Sequence, residues 1–599
     1  MMKPADLTFG SLIEYLSKKF NFTFNRNHYL TISSLPICIV LWLFRKYRNK
    51  QKKQSLDCLR DEFSSKLYSQ RVQVQTVCQL KISEERAKEI TSLSFTELQS
   101  KLQKREFSCI EVLYAFQRVA FTENVQLNFI VQPVLEAEEI ARRLDGLPAS
   151  EKDKLPLFGI PFSLKENFGI SGYQCTAGAS KLISNLSADT CSSVQTLIDA
   201  GAVPFIRTNL PQTMMSLGAH NPIYGQTRNP LDLARSPGGS SAGEGAAVGS
   251  GSSIIGLGSD IGGSVRVPAA WCGVTALKPS VNRFSTRFMT SIGCGQTLVR
   301  GVPGLMGRDV TALVEFSKVL CSDFQYNNDT AVPRVYFNSE EYLSTKPLTI
   351  GYLYYWPIVE ATESAKNAVT RVVRELSSQG HKVVEWELPQ FDCIPGKLLR
   401  DIFFADGGAS VFRLLENDEV SYTIKRLLST LGWVGWFKYY LAYTVGWLLP
   451  SWFTEKHLVG IVGVENVNKW FQLTDTVEKY KQMWVQDWRD KGIDVLITPA
   501  VPVPAEFIDQ EEGCMSGSGS YSYLLNMVNF PAGVVPVGKI SPEEEVNDFK
   551  CYPDHNQVHK CLKKSIKGST GLPLSVQCVA LPYREEMCLR VMNLISKLQ

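Results

Sequence analysis

The stretch that decides the fold of this chain runs from Asp260 to Pro279 and reads DIGGSVRVPAAWCGVTALKP. It follows SPGGSSAGEGAAVGSGSS (Ser236–Ser253), so that ten glycines fall between Gly238 and Gly263. Runs this rich in Gly and Ser are most often flexible linkers. Here four large aliphatic residues interrupt the run between positions 254 and 261, and Trp271 follows it. This apolar content indicates a packed backbone that another group approaches closely.

The glycine run could serve several kinds of site. A phosphate-binding loop is disfavoured, because neither GxxxxGK[ST] nor a strand-GxGxxG-helix pattern is present. Residues 239–243 match the GxSxG of α/β-hydrolases, but a loop broken by proline precedes them where that motif needs a strand. Acyl transfer explains more, because consecutive glycines let backbone N–H groups converge on a carbonyl oxygen. Ile261, Gly262, Gly263 and Ser264 would supply those N–H groups, with the Ser264 hydroxyl beside them.

An acyl-transfer serine also needs a group that takes its proton. That group can be a lysine, because burial among apolar residues lowers the pKa of the amine and leaves it neutral. Lys165 is a candidate, since it ends the predicted buried strand in PLFGIPFSLKENF (Pro156–Phe168). A lysine at a strand end is more often a surface residue, so the residues alone leave this pairing open.

Three stretches together resemble the amidase signature family. They are GIPFSLKE around Lys165, SPGGSSAGEG around Ser240 and GLGSDIGGSVRVPAAWCGVTALKP around Ser264. TNLPQTMMS, NPIYGQTRNP and FPAGVVPV extend the resemblance, which covers the chain from about residue 90 to its end. One departure is Ala242, which stands where the family usually has glycine and adds a methyl group behind Ser240.

The resemblance implies a fold and a set of residue roles. The fold would be α/β, with a large central mixed β-sheet covered on both faces by α-helices. Ser264 would be the nucleophile, and Ser240, after a cis peptide bond, would relay a proton to neutral Lys165. Met214 would lie in the substrate pocket. Asp260, with Arg266, could support the site or form an ion pair that only stabilises the fold.

The implied activity is a serine hydrolase reaction on long-chain fatty acid amides. Primary amides and N-acylethanolamines would be cleaved to fatty acid and amine through an acyl-enzyme. The family also implies a homodimer and needs no cofactor. A glutamine-dependent amidotransferase subunit, a non-catalytic lipid-binding protein on an amidase fold and a lipid ester hydrolase are the alternatives. Retention of Lys165, Ser240 and Ser264 favours an enzyme, whereas ester hydrolysis stays open.

The N-terminal region predicts a membrane anchor. YLTISSLPICIVLWLF (residues 29–44) has no charge, although it is short for a span of about 20 residues, and RKYRNKQKK follows it. The basic flank would place residues 1–28 outside the cytosol and the catalytic part facing the cytosol of an internal membrane, such as the endoplasmic reticulum. A signal peptide or a buried helix is the alternative, but no cleavage site follows.

The remaining segments complete the predicted organisation. Residues 45–90 predict a charged helical linker, and residues 91–599 predict the amidase domain, where helices and strands alternate. Within that domain WVGWFKYYLAYTVGWLLPSWF (Trp433–Phe453) is aromatic and has one charge. We therefore expect a membrane-associated helical cap over residues 423–453, with a buried hairpin as the alternative.

Composition limits the classes of function. The chain has 599 residues, 44% of them hydrophobic, which is enough for a core without disulfide or metal support. A net charge of +4 without a Lys/Arg stripe gives no reason to expect a nucleic-acid partner. Fifteen cysteines without a CxxC pair are expected to be thiols in a reducing compartment. With six scattered histidines, no metal site is expected.

Overall fold

The computed structural model describes residues 34–293, 295–356, 359–389, 398, 401–431, 463–508, 510 and 517–598. The chain divides into two compact units, residues 1–55 and residues 56–599. In the first unit, the described residues belong to helix α1 (Ser34–Lys81). The buried cysteines of the described residues carry free thiols; they are Cys78, Cys109, Cys175, Cys191, Cys272, Cys321, Cys578 and Cys588.

Among the described residues, the membrane-spanning helix predicted over residues 29–44 is not found. No helix in the described part of the chain is long and apolar enough to cross a bilayer. From Ser34, helix α1 reaches the charged Arg45 after eleven residues, which rise only about 16 Å. Residues 29–33 of the predicted anchor lie outside the described residues.

The stretch predicted as a charged linker is helical, but from residue 56 onward it belongs to the larger unit. It comprises the rest of α1 and helix α2 (Glu84–Ser92). Phe63 and Leu67 are buried against Ile183 and Ile223, and Ile90 is part of the main core. From residue 56 onward these helices therefore contribute to the buried clusters of the larger unit.

A mixed sheet of eleven strands organises the larger unit. Its order is β1-β3-β2-β6-β8-β7-β12-β13-β11-β9-β10, and β4 pairs with β5 as a separate ribbon. The strands are β1 Ile130–Pro133, β2 Pro161–Lys165, β3 Val203–Thr208, β4 His220–Asn221, β5 Gly225–Gln226, β6 Ile255–Asp260, β7 Thr275–Lys278, β8 Val302–Gly307, β9 Thr349–Tyr352, β10 Lys382–Glu385, β11 Val495–Pro499, β12 Ala532–Lys539 and β13 Pro573–Val579.

Helices pack against this sheet and bury its central strands. Every residue of β2, β3 and β6 is buried, as expected for strands covered on both faces. The further helices of the described residues are α3 Phe95–Gln103, α4 Cys109–Leu127, α5 Ala137–Asp145, α6 Ala149–Lys152, α7 Ser192–Asp199, α8 Ala242–Gly249, α9 Arg266–Cys272, α10 Val310–Leu320, α11 Asp323–Asn328, α12 Ser339–Leu343, α13 Glu363–Ser378, α14 Ala409–Leu415, α15 Tyr422–Leu431, α16 Val467–Asp490, α17 Ser520–Met527, α18 Pro542–Cys551, α19 Gln557–Ile566 and α20 Glu585–Ser596.

The predicted cap over residues 423–453 falls largely outside the described residues. Only its first positions are described, as part of α15. Ile424 of that helix is buried with Val411 and Leu415 of α14. The mixed sheet and its covering helices confirm the predicted α/β architecture.

Candidate active site

The parallel pairing of β2 with β6 places two predicted site segments side by side. Ser163 pairs with Gly256 and Leu164 with Leu257 in parallel register. The carboxyl ends of both strands therefore meet at one edge of the sheet. Lys165 ends β2 there, and the turn that carries Ser264 begins directly after β6.

The Lys165 amine contacts a serine hydroxyl at this edge. Lys165 is fully buried, and its Nζ lies 2.8 Å from Ser240 Oγ. Ser240 follows a cis peptide bond from Gly239, as the family resemblance implied. Ala242, the departure from the family pattern, begins α8 just beyond and is buried without separating the amine from the hydroxyl.

Ser264 is linked to the Lys165–Ser240 pair through Ser241, the residue that follows Ser240. The Ser241 N–H donates to the Ser264 carbonyl oxygen at 3.0 Å, so the two serine-bearing loops are joined. Ser264 is 5% exposed. Among the described residues no hydrogen bond links the Ser264 and Ser240 hydroxyls; such catalytic contacts often shorten only when substrate is bound.

Backbone donors surround Ser264, but one of them is already engaged. The Gly263 N–H donates to Asp260 Oδ1 at 2.8 Å. In the described part of the chain, the N–H groups of Ile261, Gly262 and Ser264 have no hydrogen-bond partner. The expected set of four donors for an oxyanion is therefore reduced to these three.

Position 263 requires glycine. Its φ is +107°, and a Cβ there would lie 2.6 Å from the Ser522 Cβ. Any larger residue would strain the backbone and collide with α17. The turn before Ser264 therefore depends on close packing of backbone against a neighbouring helix.

Asp260 forms a buried ion pair with Arg266. The guanidinium donates to both carboxylate oxygens at 3.1 Å, and both side chains are fully buried. Burial alone would raise the pKa of Asp260, but the charge and hydrogen bonds of Arg266 outweigh it and hold that pKa well below its usual range. Asp260 also accepts from the N–H groups of Gly263 and Val265. The pair thus anchors the Ser264 turn.

Two buried lysines could act as a base, and their contacts distinguish them. Burial lowers the pKa of Lys165 to about 7, although Asp260 and two glutamates oppose this shift. Burial likewise lowers the pKa of Lys278 to about 7, assisted by Arg266. The Lys278 amine donates to the Pro279 carbonyl oxygen, whereas the Lys165 amine contacts Ser240. Of these two lysines, Lys165 is the one whose amine contacts a serine hydroxyl of the predicted site.

Met214 lies apart from the hydrogen-bonded network. It closes a 3₁₀ turn, Gln212–Met214, and is partly exposed with a φ of +57°. Gln212 ties this turn to the segment that enters α15, donating to the Glu419 carbonyl oxygen and accepting from the Ser421 N–H. The turn that ends at Met214 therefore contacts the segment leading into α15 through Gln212.

Sequence reasoning missed two polar residues beside Lys165. Ser259 Oγ accepts from the Lys165 amine at 3.0 Å and lies 3.5 Å from Asn167 Oδ1. Glu244 is a fully buried acid on α8. A lone glutamate among Gly, Ala and Ser was a usable signal for a special role; Ser259 carried none beyond its place at the end of a strand.

The described residues offer no obvious metal site. No group of three or more His, Cys, Asp or Glu side chains among them is arranged to hold an ion.

Comparison with known proteins agrees with this architecture. The sequence model of the family Amidase matches residues 111–589. Fatty-acid amide hydrolase 1 of Sus scrofa is 34% identical over 85% of this chain and 86% of its own length. Fatty acid amide hydrolase 1 of Caenorhabditis elegans is 34% identical over 86% of this chain and 90% of its own length. A solved structure of fatty acid amide hydrolase superposes with a TM-score of 0.73 at 25% identity, covering 91% of this chain and 90% of the other.

The chain therefore belongs to the amidase family. Within that family its relatives and its fold make it an amide hydrolase.

Proposed function

We propose that the protein hydrolyses long-chain fatty acid amides, with Ser264 as nucleophile and Ser240 and Lys165 as its proton relay. One observation supports the relay. The fully buried Lys165 amine lies 2.8 Å from the Ser240 hydroxyl, and the N–H of the next residue, Ser241, donates to the Ser264 carbonyl oxygen. The substrate class is taken from the names of the two fatty acid amide hydrolases of Sus scrofa and Caenorhabditis elegans, each 34% identical to this chain.

The proposed reaction begins with attack of Ser264 Oγ on the amide carbonyl carbon. The Ser264 proton passes to Ser240 Oγ, whose own proton passes to the neutral Lys165 amine. The carbonyl oxygen becomes an oxyanion facing the N–H groups of Ile261, Gly262 and Ser264.

The relay then runs in reverse. Lys165 returns its proton through Ser240 to the leaving nitrogen as the C–N bond breaks, because an amine anion is a very poor leaving group. Water hydrolyses the acyl-enzyme ester on Ser264 and releases the fatty acid. The relay is then ready for the next substrate.

Release of fatty acid tests this function. Membranes that contain the wild type should cleave a long-chain primary amide and an N-acylethanolamine, and Ser264→Ala should not. Ser250→Ala is a matched control, because that hydroxyl bonds to Ala247 and Ser252 at the far end of α8. If the wild type is inert but a fluorophosphonate labels Ser264, the substrate class is wrong. If neither occurs, a non-catalytic lipid-binding protein becomes the better description.

We also propose that the enzyme acts as a homodimer on the cytosolic side of an internal membrane. The basic segment that follows residue 44 and the aromatic stretch at residues 433–453 support the membrane location, and the resemblance to the amidase family supports the dimer. Flotation with liposomes should weaken when residues 433–453 are deleted from a chain that already lacks residues 1–45. Unchanged flotation of that deletion would contradict a cap, and light scattering of purified protein tests the dimer.

A further inference from the structure

The Glu244 carboxyl contacts the strand that carries Lys165 and the strand beside it. Its Oε2 is 2.5 Å from Ser163 Oγ, and its Oε1 is 2.6 Å from Thr208 Oγ1. Ser163 is two residues before Lys165 on β2, so both side chains point to one face of the sheet. Thr208 is the residue of β3 that pairs with Lys165. Glu244 thus binds the two hydroxyls that flank the amine.

Counting protons shows which form of the carboxyl fits these contacts. Ser253 Oγ donates to the Ile255 carbonyl oxygen at 2.8 Å. A hydroxyl has one proton, so Ser253 must accept at its 3.0 Å contact with Ser163. Ser163 has then used its own proton as well. A carboxylate would have to share the one Ser163 proton with Ser253, whereas a protonated carboxyl donates to Ser163 at 2.5 Å and leaves that proton for Ser253.

The surroundings of Glu244 favour the same form. A Cβ on Gly256 would lie 1.7 Å from Oε2, so the backbone of β6 closes directly over the carboxyl. Glu244 is fully buried. Burial raises its pKa to about 7, against the opposing effects of its two hydroxyl partners and Lys165. The contacts of the Glu244 carboxyl and its burial therefore both favour the protonated form.

Two other acids face Lys165, and both have partners that stabilise a negative charge. Asp260, at the end of β6, is paired with Arg266. Glu166, directly after β2, accepts two backbone N–H groups with its carboxylate oxygens. Glu244 differs because its hydrogen-bond partners among the described residues are the hydroxyls of Ser163 and Thr208. Its protonation is therefore what changes the charge around the amine near neutral pH.

We propose that Glu244 keeps its carboxyl proton in the resting enzyme at neutral pH and thereby keeps Lys165 as the free base that accepts the proton of Ser240. This positioning role rests on the proposed function, because it presumes that Lys165 is the base. An ionised Glu244 would instead stabilise the protonated amine and withdraw it from the relay.

Infrared spectroscopy of Glu244→Gln tests the protonation itself. The carboxamide repeats the donor and acceptor pattern, with N–H toward Ser163 and C=O toward Thr208. At pH 6.5 the wild-type minus variant spectrum should show the C=O stretch of a protonated carboxyl, shifted in deuterated water. Absence of that band overturns the proposal whether or not the protein cleaves amides, so this failure is distinct from failure of the proposed function.

The pH profile of kcat/KM tests the effect on Lys165. Glu244→Gln should keep the acid limb of the wild type within about 0.3 pH unit, because a neutral group replaces a neutral group. The wild type should show a second inflection from the ionisation of Glu244, whose pKa is also about 7, and the variant should lack it. A downward shift of the acid limb by about one unit or more would mean that a carboxylate was removed, and would overturn the proposal.

A matched buried acid separates this effect from a general one. Asp548 is buried on α18 and bonded to Ser364, and burial raises its pKa too. Asp548→Asn should therefore retain both inflections. Superimposable profiles of the wild type and Glu244→Gln at every pH would show that Glu244 does not act on Lys165.

Discussion

Lowering the pH from 8 to 6 should slow amide hydrolysis, because it protonates Lys165. Burial lowers the pKa of this amine to about 7, so the sign is clear: the base is free above that pH and protonated below it. About nine-tenths of the enzyme has a free amine at pH 8 and about one-tenth at pH 6. We therefore expect kcat/KM to fall about tenfold between these two values.

The assay is release of fatty acid at substrate concentrations well below KM, where kcat/KM reports the free enzyme. Enzyme held at pH 6 and then assayed at pH 8 must recover full rate, which excludes unfolding as the cause. Ser264→Ala corrects for uncatalysed hydrolysis. A rate that stays constant from pH 8 to pH 6, or an acid limb that persists in Lys165→Ala, would refute the assignment of Lys165 as the base.

Three further substitutions test the site. Lys165→Ala should lower amide turnover by about 10²- to 10⁴-fold and turnover of a matched ester by less, because an alkoxide leaves with less help from a proton. Rates measured on the amide and the ester with the same enzyme test this, and equal losses would contradict the relay. Asp260→Asn should destabilise the fold by about 3–5 kcal/mol, because Arg266 keeps a buried charge without its counter-ion; a change in unfolding free energy below about 1 kcal/mol in urea would argue against that reasoning. Gly263→Ala should cost about 1–3 kcal/mol and abolish fluorophosphonate labelling, because φ is +107° and the new Cβ meets Ser522. Adding Ser522→Gly should restore only part of this stability, since the strain in φ remains, and full restoration would show that φ does not matter.

Regular elements were the most predictable part of the fold. Residues 192–209 carry helix-like apolar spacing up to Gly201 and then an apolar run, a pattern typical of a helix followed by a strand, and the structure has α7 and β3 there. The capping box of Ser94 and Glu97 is present at the start of α3. These signals are local in the chain, so they survive without tertiary context.

Breaks between elements were less predictable. Residues 94–121 predicted a continuous helical pattern, but the chain leaves α3 at residue 103 and starts α4 at Cys109. Arg105 adopts a positive φ, and Ser108 caps the new helix with its side chain. Apolar spacing continues across such a break, because both helices bury an apolar face in the main core.

The sequence by itself determined the family and the candidate chemical groups. Lys165, Ser240 and Ser264 stand in motifs that can be recognised without coordinates. The ten glycines between Gly238 and Gly263 also indicated that backbone packs closely there, because only glycine lacks a Cβ.

Only the tertiary structure decided which of those groups meet and in what state. Parallel pairing of β2 with β6 brings together residues that are nearly a hundred positions apart, and the helices buried over them set the pKa of Lys165. It also committed the Gly263 N–H to Asp260 and placed Glu244 beside the amine. Desolvation and hydrogen-bond direction depend on what surrounds a group in space, and no local pattern in the chain specifies that.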